Sequence, residues 1–127
     1  FLEGWFSYAR NANTYKLPVI ISHTMNVFGE RQHPEKFIPM TIRKILNNET
    51  VLIHSDRAKT KAGSRFWIHA RNVANAITFL LDKGSVRDKY NIVGEKEVDN
   101  LQMAKFIASV LGKKLKYDMI DFHSSRP

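Results

Sequence analysis

The strongest constraint on the fold is a short apolar stretch, Leu17-Pro18-Val19-Ile20-Ile21-Ser22. It leads into Asn26-Val27-Phe28-Gly29-Glu30-Arg31-Gln32-His33-Pro34-Glu35-Lys36-Phe37-Ile38-Pro39. A continuous apolar run of that length, closed by polar residues and a Gly, reads as a buried strand. The polar loop after it, feeding a helix opened by Pro, sets an amide (Asn26) and a cation (Lys36) beside the strand's C-terminal end. Open α/β sheets bind their ligands there. An amide suits sugar hydroxyls and a lysine suits phosphate.

Periodicity organises the rest. Leu2, Phe6 and Ala9 predict a helix through Tyr15, before the strand at 17–22. Pro34 opens a helical turn, and Pro39 starts a helix to about Asn47 with Ile42, Ile45 and Leu46 inward. Strands are expected at 50–54 and 65–69, joined by a polar loop over 55–64. Asn72 is expected to cap a helix whose inner face is Val73, Ile77, Leu80 and Leu81, broken at Gly84-Ser85. A strand at 89–93 closes at Gly94. Asp99 or Asn100 caps a helix with Leu101, Ala104, Ile107, Ala108 and Leu111 inward, stopped by Gly112, before a strand over 115–120. Strands alternating with helices make this an α/β chain. The strands at 50–54 and 65–69 are linked by a loop, so the sheet need not be purely parallel.

What the chain lacks narrows its chemistry. Its six glycines never form G-x-G-x-x-G, and no G-x-x-x-x-G-K-[ST] or G-x-S-x-G occurs. Taken alone, it therefore has no visible dinucleotide site and no serine-hydrolase elbow. Five histidines (His23, His33, His54, His69, His123) form no H-x-x-x-H pair, and no Cys is present to complete a zinc site. No metal is expected. The absence of Cys excludes disulfides and suits the cytoplasm, and no apolar run approaches a membrane span. Phe1-Leu2-Glu3 offers no capping residue, as expected for a segment of a longer chain.

The formal net charge of +8 suits nucleic acid, an anionic small ligand, or a half-protein with an acidic complement. The densest cluster, Arg57-Ala58-Lys59-Thr60-Lys61, has no interleaved aromatic residue, so the stacking platform of a single-strand binder is missing. It is read as a solvated loop. A basic nucleic-acid-binding α/β domain is kept only as an alternative. Elsewhere Lys36, Arg65 and Arg126 lie beside loops or strand ends, where charge-assisted hydrogen bonds could hold a diphosphate. Asn26 and Asn100 are amides in similar places. From the residues alone, a surface salt bridge is an equal alternative for Arg65 and Arg126.

The segment from Asn26 to Pro39 closely resembles N-N-Y-G-P-x-x-x-P-E-K-L-I-P of the dTDP-glucose 4,6-dehydratases, members of the extended short-chain dehydrogenase/reductase family. The resemblance covers nearly the whole chain, including Trp67-Ile68-His69-Ala70-Arg71-Asn72-Val73-Ala74, which looks like W-x-x-V-x-D-x-A. It implies substrate contacts at Asn26, Lys36, Phe37 and Asn100, diphosphate contacts at Arg65 and Arg126, and packing over the nucleotide base by Leu52 and His54. It also implies that residues 1–127 form the C-terminal substrate-binding portion of a Rossmann-like nucleotide-sugar dehydratase, a mixed sheet with flanking helices. The NAD-binding part and the catalytic Y-x-x-x-K would then lie outside these residues, leaving this chain inactive alone.

The implied reaction is hydride removal from C4 of a dTDP-hexose by NAD, loss of water across C5–C6 and hydride return at C6. Implied partners are a nucleotide-diphosphate sugar and a second copy of the chain. Val27, Phe28, Glu30, Asn72 and His54 depart from the family pattern, and residues 55–64 are longer than its loop. A sister epimerase or decarboxylase activity is therefore a further alternative.

Overall fold

The computed structural model describes residues 14–122. The expected helical positions Leu2, Phe6 and Ala9, together with His123 and Arg126, lie outside the described residues. Thr14 and Tyr15 are helical, and Lys16, at φ 53°, ends that helix as expected.

Eight strands and three full helices follow among the described residues. They run β1 (Ile21–Thr24), β2 (Val27–Phe28), α1 (Phe37–Leu46), β3 (Val51–Ser55), β4 (Ser64–Phe66), β5 (Ile68–His69), α2 (Ala70–Lys83), β6 (Lys89–Ile92), β7 (Glu97–Asp99), α3 (Asn100–Val110) and β8 (Tyr117–Asp121). Strands β1–β6, β2–β5 and β3–β8 pair in parallel, whereas β4–β7 is antiparallel. The expected α/β class with mixed pairing is what the chain adopts.

Two apolar cores carry the fold. In the first, β3 alternates strictly: Val51, Ile53 and Ser55 point inward, while Leu52 and His54 point outward. Val51 and Ile53 meet Ile45 of α1 and Ala104, Ile107 and Ala108 of α3. The second core joins Ile68 of β5, Leu80 of α2 and Ile92 of β6. The chain supplies its own stops. Asn48 (φ 60°) closes α1, and Gly112 (φ 61°) closes α3. In both cases the next N–H reaches back into the last turn, Glu49 to Lys44 O at 2.8 Å and Lys113 to Ala108 O at 3.0 Å. The expected cap at Asp99 forms, its carboxylate accepting from Gln102 N at 2.8 Å.

Several expectations are corrected. Helix α1 starts at Phe37, not Pro39, because a proline inside the first turn loses no intrahelical bond. His69, not Asn72, caps α2: its Nδ1 accepts from Arg71 N at 3.1 Å. Ile77 and Leu81 face outward, 42% and 80% exposed, and Ala76 joins Val73 and Leu80 on the inner face. The first strand begins at Ile21, where its partner β6 begins at Lys89, and Leu17 to Ile20 only lead into it. The strand at 89–93 ends at Ile92, and the last strand lies at 117–121.

The single strand expected at 65–69 is split at Trp67. Arg65 and Phe66 pair with β7, whereas Ile68 and His69 pair with β2. Trp67 holds the break by stacking on Phe37 (centroids 5.8 Å apart) and donating from its indole to Val98 O at 3.3 Å. Strands β2 and β7 are too short to leave a periodic signal.

Candidate functional site

The outward face of β3 and the segment entering β4 form one wall. Gly63 N donates to His54 O at 3.2 Å, and Asn100 N donates to Gly63 O at 2.9 Å. This relay fixes three distant points of the sequence side by side. The missing side chain of Gly63 leaves room between two polar groups. A methyl there would lie 3.7 Å from Nδ2 of Asn100 and 4.0 Å from Nη1 of Arg65. Amide and guanidinium therefore flank the same spot.

The space in front of them is a cavity of about 490 Å³, lined by His54, Asp56, Lys61, Gly63, Arg65 and Asn100 among others. Phe122 stands edge-on to the His54 ring (centroids 5.8 Å, interplanar angle 81°), and both line the cavity. Arg65 Nη1 donates to Ser64 O at 2.7 Å, which orients the fork. Three of the eight sequence-derived site residues, His54, Arg65 and Asn100, thus converge on one cavity.

The others stand elsewhere. Leu52 shares the outward face of β3 with His54 but does not line the cavity. Phe37 is spent on packing, stacked on Trp67 and against the first core. Lys36 is exposed at the start of α1, where it gives no side-chain cap. Asn26 takes a left-handed φ of 48°, which an Asn tolerates, and its carbonyl accepts from Ile68 N at 3.4 Å. It therefore opens the pairing of β2 with β5. Arg126 lies outside the described residues.

Three residues of the site were missed from sequence: Asp56, Lys61 and Phe122. The segment 57–61, read as a solvated loop, is exposed and is also an ordered reversal. Ser55 bridges Ala62, and Asp56 N donates to Lys61 O at 3.0 Å. The Asp56 carboxylate accepts from Thr60 N (2.7 Å), Thr60 Oγ1 (2.8 Å) and Lys61 N (2.9 Å). The Lys61 N–H, then the Thr60 hydroxyl and N–H, hold that carboxyl below its ordinary pKa. The turn therefore gains stability above the unfolded-chain pKa and loses it as pH falls through the lower folded value. The signal that could have found it was Asp56 followed four residues on by Thr60.

A second polar group surrounds Glu30, a departure from the family pattern. Its carboxylate pairs with the Arg71 guanidinium and lies 3.5 Å from His69 Nε2. The backbone N–H of Glu30, then Arg71, lowers its pKa. Because His69 Nδ1 accepts from Arg71 N, the ring proton sits on Nε2, facing Glu30. This cluster braces the start of α2. A cavity of about 620 Å³ nearby, lined by Phe28, Trp67, His69 and Gly94, contains none of the expected site residues.

A dinucleotide does not fit these residues. A pyrophosphate needs free N–H groups at a helix N-terminus behind a glycine turn. Among the described residues no G-x-G-x-x-G turn opens a helix, and His69 and Asp99 each take one N–H at the starts of α2 and α3. Among the described residues no His, Asp and Glu gather as a metal set, and no helix is long and apolar enough to cross a membrane.

Comparison with known proteins agrees with this architecture. Residues 6–93 match the NAD dependent epimerase/dehydratase family. The chain is 36% identical over 97 residues to a dTDP-D-glucose 4,6-dehydratase of Dictyostelium discoideum, covering 76% of this chain and 21% of that protein. It superposes on the crystal structure of dTDP-glucose 4,6-dehydratase from Bacillus anthracis in complex with NAD, with TM-score 0.75 and 31% identity, covering 88% of this chain and 36% of that one. A UDP-glucuronic acid 4-epimerase from Bacillus cereus gives TM-score 0.82 at 18% identity over 94% of this chain and 38% of that one, a likeness of fold. The chain thus spans between about a fifth and two fifths of the length of these proteins.

Proposed function

We propose that this chain, which belongs to the NAD dependent epimerase/dehydratase family, is the substrate-binding portion of a dTDP-glucose 4,6-dehydratase. On this reading it holds dTDP-glucose for conversion to dTDP-4-keto-6-deoxyglucose in the cytoplasm. NAD would be bound mainly by a part of the protein outside these residues and would supply the hydride chemistry. The observation that carries the reading is the convergence of His54, Arg65 and Asn100 on one cavity.

In that cavity Arg65 presents its planar fork to a diphosphate, Asn100 offers amide donors and an acceptor to hydroxyls or phosphate oxygens, and His54 with Phe122 forms a surface for a flat base. The contribution of this chain is positioning. Holding the reacting sugar in place can lower a barrier by up to about 7–11 kcal/mol in favourable cases.

The test is calorimetric titration of this chain. dTDP-glucose is expected to give saturable heat, and NAD none. Arg65→Ala is expected to weaken dTDP-glucose binding by about 1.5–3 kcal/mol, the range for hydrogen bonds to a charged group. Lys59→Ala, at the tip of the 56–61 turn, should leave it unchanged. Saturable NAD binding, or equal losses in both variants, would refute the assignment.

We also propose that the chain self-associates, as a homodimer or by strand exchange. Support comes from Phe79 and Leu81 on α2 (64% and 80% exposed) and Phe106 and Val110 on α3 (65% and 69% exposed). Apolar surface of that kind invites burial against another chain. Sedimentation at increasing concentration should show a rising mass, whereas a constant monomer mass would remove this part of the proposal.

A further inference from the structure

The cavity has a second cation that the diphosphate reading does not need and the family pattern does not supply. Lys61 lines it beside Arg65, one residue before Ala62 and two before Gly63. It comes from the lengthened 55–64 segment, and three observations set it apart from an ordinary surface lysine. First, its backbone is fixed on both sides. Its N–H donates to Asp56 Oδ1 at 2.9 Å, and its carbonyl accepts from Asp56 N at 3.0 Å. Second, among the described residues neither Lys61 nor Arg65 has a carboxylate within ion-pairing distance. Third, the one carboxylate on the cavity wall beside them, Asp56, has both oxygens occupied by the turn's own donors. Two cationic residues with no ion-pair partner among the described residues thus line one space of about 490 Å³, with Gly63 between them in sequence. Cations left unpaired around a concave site favour a ligand bearing more than one negative charge.

We propose that Lys61 is a specificity residue of this cavity. Arg65 takes one phosphoryl group and Lys61 the other, so the site distinguishes a nucleoside diphosphate from a monophosphate. Asp56 is the positioning residue that delivers Lys61 by locking the turn. The proposal rests on the reading that this cavity holds the diphosphate of a nucleotide sugar.

The experiment is an NMR titration of the full chain with dTDP and with dTMP, read as the ratio of their affinities. The wild-type chain is expected to prefer dTDP. Lys61→Met should reduce that preference about tenfold to a hundredfold, the loss of one charge-assisted contact, and Lys59→Met should leave it intact. Asp56→Ala should reproduce the loss, whereas Asp56→Asn, which keeps the acceptor oxygen, should largely restore the preference. An unchanged ratio in Lys61→Met, with Arg65→Met still lowering dTDP affinity, would overturn the role of Lys61 and leave the cavity's assignment standing. Absence of dTDP binding to the wild-type chain, or indifference to Arg65→Met, would overturn both.

Discussion

Gly94→Ala is expected to destabilise the chain by about 3–4 kcal/mol, a large share of the 5–15 kcal/mol that typically holds a domain together. The reason is contact, since Gly94 is not among the residues with positive φ. A Cβ at this position would lie 2.0 Å from Trp67 O, 2.8 Å from Trp67 C and 3.2 Å from Trp67 N. All three are backbone atoms at the point where β4 ends and β5 begins, so no side chain can swing aside. Relief would require separating the segment after β6 from the Trp67 junction, which would disturb the Phe37–Trp67 stack and the indole bond to Val98 O. Urea unfolding followed by circular dichroism should show the lowered midpoint. Gly112→Ala offers a contrast, because its Cβ meets nothing within 4 Å and only the left-handed φ of 61° resists the change. A Gly94→Ala midpoint no lower than that of Gly112→Ala would disprove the backbone-contact argument.

Ile53→Ala is expected to cost about 2–5 kcal/mol, the range for emptying a buried aliphatic site. Ile53 has no exposed surface and sits in the first core with Ala104 and Ile107. The neighbouring position gives the control. Leu52 points outward and is 42% exposed, so Leu52→Ala should cost well under half as much. Ile53 also precedes His54, whose carbonyl anchors Gly63 N, so Ile53→Ala should weaken dTDP binding as well as stability. Equal unfolding midpoints for the Ile53 and Leu52 variants would contradict the inward–outward alternation of β3.

The elements that sequence exposed were those whose signal is local. Gly112 announced the end of α3 and Asp99 its start, because capping is decided within one turn. The core face of α3 was legible for the same reason: Leu101, Ala104, Ile107, Ala108 and Leu111 repeat at helical spacing.

What failed depended on distant partners. Nothing near Trp67 says that the strand must break there, because the break follows from β4 and β5 pairing with different strands. Ile77 and Leu81 belong to the apolar pattern of α2 yet lie on its outward side, and periodicity does not reveal which flank of an apolar stripe meets the core. At the candidate site, Arg65 and Asn100 were expected binders from residue type and His54 only from the family resemblance, and one cavity is lined by all three. Lys61 was hidden because its placement comes from a side chain, Asp56, bonding to backbone five residues on.

The order in which the strands pair has a consequence for how this chain can be assembled or divided. β1 and β2 lead toward the second core, α1, β3 and β4 belong with the first, β5, α2 and β6 return to the second, and β7, α3 and β8 go back to the first. The chain passes between its two cores three times. Ile21 must wait for Lys89 and Val51 for Tyr117, so neither core can close until most of the sequence has been made. Assembly through contacts so remote in sequence is slow compared with local helix packing. A single cut in the 56–61 turn falls inside both cores. A protease nick in the 56–61 turn would separate β1, β2 and β3 from their partners β6, β5 and β8, so the two pieces could recover the fold only by reassociating.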